Sequence, residues 1–268
     1  MLSAYQTVPG DRRDVGIDRD FALDRSLLHV PFDRLFETPG NGRLTHRMFM
    51  RLHDDIDAAV TYKSFRTAMR SLGARIHKHE NYTLYRLEKR RRIIEIYVNK
   101  PSEAGIDHGI GDIGKALGGK TIHTVIGRGH TGIITPLQAD ARRLLGERIA
   151  NVAAVVVGSC GSDASARDMI GTFGTVPIVT TKSTGRRVIN NAIVESYIKA
   201  LLDLPKDTAL SITSLVDTSL SQFLTPKTDE ELREDAKLYR VNLAVVLAAQ
   251  LFDTHVHRQT RLQRSASE

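Results

Sequence analysis

Two glycine-rich stretches hold the residues best suited to covalent chemistry. GRGHTG (Gly127–Gly132) presents His130, and GSCGSD (Gly158–Asp163) presents Cys160, the only cysteine among 268 residues. A cysteine becomes an effective nucleophile when a neighbouring imidazole or a helix N-terminus favours the thiolate. Cys160 stands just before a predicted helix start, so both influences are available to it. The backbone N–H groups around Cys160, Gly161 and Gly132 suit a developing oxyanion. Taken singly, a strand-end cysteine is a small apolar residue, and a histidine is a packed or solvated group. Their joint placement in glycine loops is what points to nucleophilic catalysis.

The surrounding pattern supplies the elements that would position the pair. From Ile93 onward the sequence alternates strand and helix. Strands are predicted at Ile93–Val98, Thr121–Ile126, Val152–Val157 and Pro177–Thr181, and helices at Ile110–Leu117, Thr135–Ile149, Ala164–Phe173 and Arg186–Leu202. Thr135, Pro136 and Gln138 read as a capped start for the second of these helices. The order implies an α/β fold, a three-layer sandwich with a mostly parallel sheet and helices on both faces. Ligands in such sheets bind at the carboxyl ends of the strands. There, successive strands deliver His130 and Cys160 to one edge. Upstream, residues 1–45 read as a partly disordered arm, and 46–92 as a helix (Asp54–Leu72) followed by a hairpin (Arg75–His79, Thr83–Glu88). Residues 93–205 form the predicted catalytic domain, and 206–268 a closing helix, capped by Thr228 with Glu231, and a tail.

TIHTVIGRGHTG followed by VAAVVVGSCGSD resembles the caspase-fold cysteine peptidases, a clan that holds gingipain, clostripain, separase, the caspases and the self-processing domains of bacterial toxins. Their mark is a hydrophobic strand ending in His-Gly and a second ending in a small residue and Cys. The resemblance covers about Ile93 to Leu202 and implies a thiol endopeptidase acting on a protein or peptide substrate, or on its own chain. It makes Cys160 the nucleophile and His130 the acid/base, with no cofactor and no metal. One departure is visible: Thr131 stands between His130 and Gly132. In the same frame Asp163, Thr181, Lys182 and Ser183 are expected to wall the substrate groove, with Asp163 suited either to a basic side chain or to capping a helix. The alternative is a catalytically inactive scaffold or binding module that keeps the fold, with a polyanionic ligand such as the inositol hexakisphosphate that switches on some toxin-borne relatives.

Composition narrows the remaining classes. One cysteine cannot build a disulfide framework, which suits a reducing compartment such as a cytoplasm, or a host cytosol for a toxin domain. The longest apolar run, Val241–Phe252, is too short to span a bilayer, which takes about 20 residues. The net charge of +7 admits an acidic partner, yet the cations are dispersed, and the densest group, Glu88–Arg92, reads as a solvated basic turn. Gly114–Thr121 matches the spelling of a phosphate loop and Gly109–Gly114 that of a dinucleotide fingerprint. Neither is read as a nucleotide site: a helix precedes GGK and the strand TIHTVI follows it, so those glycines read as a helix stop. His77 with His79, and His255 with His257, lack carboxylate or thiol company for a metal site. His123 is read as core packing.

Overall fold

Side-chain alternation along the strands sorts the protein into layers. The structure, a computed structural model, describes residues 28–40, 42–53, 57–101, 109–174, 176–181 and 184–239. A short strand β1 (His29–Pro31) and a turn of helix α1 (Phe32–Leu35) lead to β2 (Leu44–Leu52), α2 (Ala58–Ser71), β3 (Arg75–Lys78), β4 (Tyr82–Lys89) and β5 (Arg92–Asn99). Then follow α3 (Ile110–Leu117), β6 (Thr124–Arg128), α4 (Ile134–Leu145), β7 (Ala154–Gly158), α5 (Ala166–Phe173) and β8 (Ile178–Val179). The chain continues through α6 (Arg187–Asp203), β9 (Ala209–Ser211), α7 (Ile212–Ser221) and α8 (residues 230–239). In β2, Met48, Met50 and Leu52 join a core with α2, α6 and α7, while Phe49 joins a second core with α3, α4 and α5. Val156 and Val155 of β7 divide in the same way. Helices thus cover both faces of one sheet, the three-layer α/β sandwich expected from the sequence.

The strand order is β3-β4-β5-β2-β6-β7-β8, with β5, β2, β6, β7 and β8 parallel and the β3–β4–β5 edge antiparallel. Counted along the chain, the parallel strands follow the doubly wound order 2-1-3-4-5. The central strand β2 falls where the sequence shows an arm and the approach to a helix. Leu28, Val30, Leu35 and Phe36 are buried as well, and β1 pairs with β9. Sheet and core therefore run across the boundaries read at residues 45, 92 and 205. β2 escaped notice because His46, Arg47 and Arg51 interrupt its apolar pattern. Those residues are buried, and their partners are distant in sequence: Arg47 meets Glu37 and Glu95, and Arg51 Nε donates to Asp140 at 2.7 Å.

Smaller departures have local causes. The buried face of α2 is Ala58, Thr61, Phe65 and Met69, which leaves Val60 exposed. α4 starts through a 3-10 turn, Thr131–Ile133, without a side-chain cap, and Gln138 donates to Thr172 at 2.9 Å instead of closing a capping box. α8 is capped by Asp229, whose carboxylate accepts from the Leu232 N–H, while Thr228 donates to the Gln222 carbonyl. Gly118 and Gly119 end α3 with positive φ, and Lys120 leads toward β6. The phosphate-loop spelling is thus a helix stop. Arg92 is not part of a solvated turn. It donates to the carbonyls of Leu201, Leu202 and Leu204 at the end of α6 and lies over Phe32 and Phe36, satisfying helix-terminal acceptors that have no partner within the helix.

Beneath the sheet centre, His46 Nδ1–H donates to the Leu35 carbonyl at 2.6 Å, its Nε2 accepts from Thr124, and Tyr197 donates to Thr124. His123 stacks on His46 with ring centroids 5.1 Å apart and accepts the Arg47 N–H. Burial holds His46 well below the ordinary histidine range and pulls His123 down to about 4. Both rings are therefore neutral in the folded protein, and the unfolded chain binds protons first as pH falls. Stability is expected to be fully present above the ordinary value of 6.5 and to drop between 6.5 and about 4, by about 3 kcal/mol from His123 alone. Urea unfolding at pH 7 and pH 4.5 measures the drop, and His123→Asn, which keeps an acceptor for the Arg47 N–H, should lessen it. Arg92→Met is expected to cost about 2 kcal/mol at either pH.

Candidate active site

The register of two strands brings the chemistry together. β6 and β7 pair in parallel from Thr124 opposite Ala154 to Arg128 opposite Gly158. His130 and Cys160 each follow that last pair by two residues, on strands about 4.8 Å apart. Each loop turns on a glycine with positive φ, Gly129 (+145°) before the histidine and Gly161 (+59°) after the cysteine. His130 is extended and leads into the 3-10 turn before α4. Cys160 and Gly161 form a turn, followed by a second 3-10 turn, Ser162–Ser165, and α5.

Both residues line one cleft of about 420 Å³. Its walls come from the ends of β6 and β7, the start of α2 (Asp57, Thr61), the segment Thr184–Asn190 that opens α6, and Leu232 of α8. Asp57 Oδ2 lies 3.5 Å from His130 Nε2, and its Oδ1 lies 3.8 Å from the Arg187 guanidinium. A carboxylate in this place orients the imidazole. The Gly185 N–H donates to Cys160 Sγ at 3.3 Å, and a donor there stabilises negative charge on sulfur. A Cβ on Gly185 would approach Ser159 and Cys160 backbone atoms at 3.1–3.3 Å, closer than most side chains pack, so a larger residue there would press on the cysteine turn. The arrangement is a thiol, an imidazole and a carboxylate around one cavity, with a backbone N–H on the sulfur.

The cysteine turn is braced from below. Thr181, expected in the groove wall, is buried: its hydroxyl donates to the Ser159 carbonyl, and its N–H donates to Ser162 Oγ at 2.9 Å. Asn190 Nδ2 donates to the Gly158 carbonyl at 3.1 Å, and Tyr239 of α8 donates to Asn190 Oδ1 at 2.5 Å. Burial pushes the Tyr239 phenol above its ordinary range, so it remains a donor. Arg186 reaches α8 as well, pairing with Glu231 and Asp235. Of the other expected wall residues, Lys182, Ser183 and the side chain of Asp163 lie outside the described residues. Gly132 packs on His53, where a Cβ would come within 3.3 Å of the ring, and neither Gly132 nor Gly161 lines the cleft.

Asp57, Arg128, Arg187 and Asn190 escaped the reading of the sequence, whereas Arg186, the end of the loop Lys182–Arg186 expected to wall the groove, does line the cleft. Asp57 precedes a helix, as many solvated carboxylates do, and Arg128 looked like a loop residue of GRGHTG. Arg128 is the last residue of β6 and only 2% exposed. Its Nη2 approaches the Arg187 carbonyl at 3.4 Å, and its Nη1 is buried without a hydrogen-bond partner among the described residues. Burial, with Arg187 adding to it, pulls the guanidinium down to about 10, against a smaller opposing effect of Tyr239. Among the described residues no cluster of three or more His, Cys, Asp or Glu side chains could hold a metal, and no helix is long and apolar enough to cross a membrane. His77 is exposed on β3, and His79 stacks on Tyr82. His123 is a core residue, as expected, and His255 and His257 lie outside the described residues.

No family model and no curated protein matches the chain. Among solved structures, it is matched to the cytosolic domain of the T. maritima FeoB iron transporter in a GDP form at 10% identity and TM-score 0.29, over 78% of this chain and 98% of that one. The apo form of the same domain matches at 12% identity and TM-score 0.30, over 76% and 98%. Scores of this size establish no shared fold, and nothing about function rests on them.

At Gly158 an ideal Cβ would lie 2.5 Å from the Asn190 side chain, which is held by its bonds to Gly158 and Tyr239. Gly158→Ala is expected to destabilise the protein by about 1–3 kcal/mol in urea unfolding, because Asn190 cannot yield without losing both bonds. Thr181→Val, which keeps the shape and removes the hydroxyl, is expected to cost about 1–2 kcal/mol and to slow thiol labelling of Cys160.

Proposed function

We propose that the protein is a cysteine endopeptidase acting on a protein or peptide substrate, or on its own chain. The observation that carries this reading is the β6–β7 register, which brings His130 and Cys160 to the edge of one cleft, with Asp57 against the imidazole. It is further supported by the resemblance of the two strand-loop segments to the caspase-fold peptidases.

In this mechanism Cys160 Sγ attacks the scissile carbonyl carbon, and its proton passes to His130. The carbonyl π electrons move to oxygen, and the backbone N–H of Cys160, which lines the cleft, meets the oxyanion. The oxyanion collapses, the C–N bond breaks, and His130 gives its proton to the leaving amine. Water, deprotonated by His130, then cleaves the thioester and releases the acid, and the proton returns to the thiol–imidazole pair. Asp57 acts through His130 and is a positioning residue. A single cysteine without an intramolecular disulfide partner suits a reducing compartment such as a cytoplasm as the site of action.

Peptidyl chloromethyl ketones with varied terminal residues test the proposal, read by mass spectrometry at Cys160. Labelling by at least one probe is expected to exceed that of the denatured protein by 100-fold or more and to fall about 100-fold in His130→Ala. Reaction no faster than in the denatured chain, with no effect of His130→Ala, leaves the inactive scaffold as the better account. On a cleaved peptide, Asp57→Asn is expected to lower kcat about 10-fold with KM unchanged, and Asp57→Glu to recover part of the loss. An equal rise in KM would mean that Asp57 binds substrate instead.

A further inference from the structure

Two large apolar side chains stand out in solvent among the described residues, Val60 at 45% exposure and Val188 at 56%. Exposed valines scattered singly over a surface need no explanation, but these two share one place. Helices α2 and α6 both begin at the cleft and run side by side in the same direction. They are joined by Asp57 with Arg187 at 3.8 Å and, further along, by Asn191 Nδ2 donating to Ser64 at 2.7 Å. Val60 lies one turn before Ser64, and Val188 one turn before Asn191, so the two valines flank the seam between those links. Val188 itself lines the cleft, and so does Thr61, the neighbour of Val60. The ion pair at the head of the seam carries one charge of each sign, which leaves the valines to set its character.

The seam also has a direction relative to the chemistry. Asp57, the residue before α2, lies 3.5 Å from His130 Nε2. The imidazole protonates the leaving amine, so the chain that continues from that nitrogen departs on the side where α2 begins. We propose that Val60 and Val188 form an apolar subsite for the leaving side of the substrate, and that it takes an aliphatic side chain on one of the first two residues after the scissile bond. The proposal rests on the peptidase reading for its occupant and on the seam for its chemistry. A branched aliphatic side chain laid against two solvated valines removes apolar surface from water on all three. A hydroxyl or charged side chain in the same place would give up water for methyl groups that offer it no hydrogen bond.

The test separates the subsite from the catalytic pair. The full-length protein is given internally quenched peptides that share the residues before the scissile bond, copied from the chloromethyl ketone that labels Cys160 fastest, and that carry either Leu or Ser at the first two positions after it. The Leu peptide is expected to show kcat/KM about 10-fold above the Ser peptide, a modest preference because the seam is open to solvent. In Val60→Thr/Val188→Thr, which keeps the branched shape of both side chains, that ratio is expected to fall to about 2. The ratio is taken within each protein, so a difference in folded fraction cancels. The ketone probes carry no residue after the reacting carbonyl and therefore report the thiol and imidazole apart from the seam. Rapid labelling with equal cleavage of the Leu and Ser peptides, or with a Leu preference that the double variant retains, would overturn the subsite and leave the peptidase reading intact. Equal cleavage together with a loss of stability in the double variant would overturn it in favour of a seam covered by another segment of this chain. No labelling by any probe would remove the peptidase reading, and the subsite with it.

Discussion

The parallel pairing of β6 with β7 is the constraint on which the cleft depends. With Arg128 opposite Gly158, the loops leave the sheet side by side, and the thiol and imidazole follow at the same distance from the last pair. A slip of one residue would turn the inward side chains of one strand outward and separate the pair along the strand axis. Close packing guards the register. A Cβ on Gly127 would come within 2.8 Å of Leu137 of α4, and one on Gly158 would strike Asn190 of α6. Each strand end is therefore seated against a helix from a different layer.

From that register the rest of the site is assembled by elements distant in the chain. The start of α2 brings Asp57 to His130, the segment before α6 brings the Gly185 N–H to Cys160, and α8 closes behind Asn190 and Arg186. Arg186 pairs with two carboxylates and Arg187 lies beside one, while Arg128 has no carboxylate partner among the described residues. Charge held unpaired inside a protein costs stability, so residues of this kind cluster where function maintains them. The buried His46–Thr124–Tyr197 chain solves a different problem under the same sheet. Every polar group in it has a partner as long as the imidazole is neutral, so its full contribution to stability is present above the ordinary histidine range and declines below it.

Much of the fold is legible along the chain because its parallel strands are short apolar runs separated by amphipathic helices. AVVVG, IVESYIKALLD and the capping glycines carry their structure locally. β2 is the exception that matters. Its polar residues read as surface until Glu37, Glu95, Asp140, Leu35 and Thr124 arrive from elsewhere to satisfy them. The same holds for Arg92, whose partners are the carbonyls at the far end of α6. Polar residues buried by long-range pairing look like exposed ones in a periodicity pattern.

By itself the sequence determined the α/β class, the succession of strands and helices after residue 92, and the delivery of His130 and Cys160 at strand ends, since these follow from local apolar period and from glycine. Only the tertiary structure decided which strand lies at the sheet centre, that Asp57 stands against His130, that Thr181 braces the cysteine turn from inside, and that Arg128 is the cleft arginine with no carboxylate partner among the described residues. Those outcomes depend on which distant groups meet once the layers pack. No local spacing encodes that.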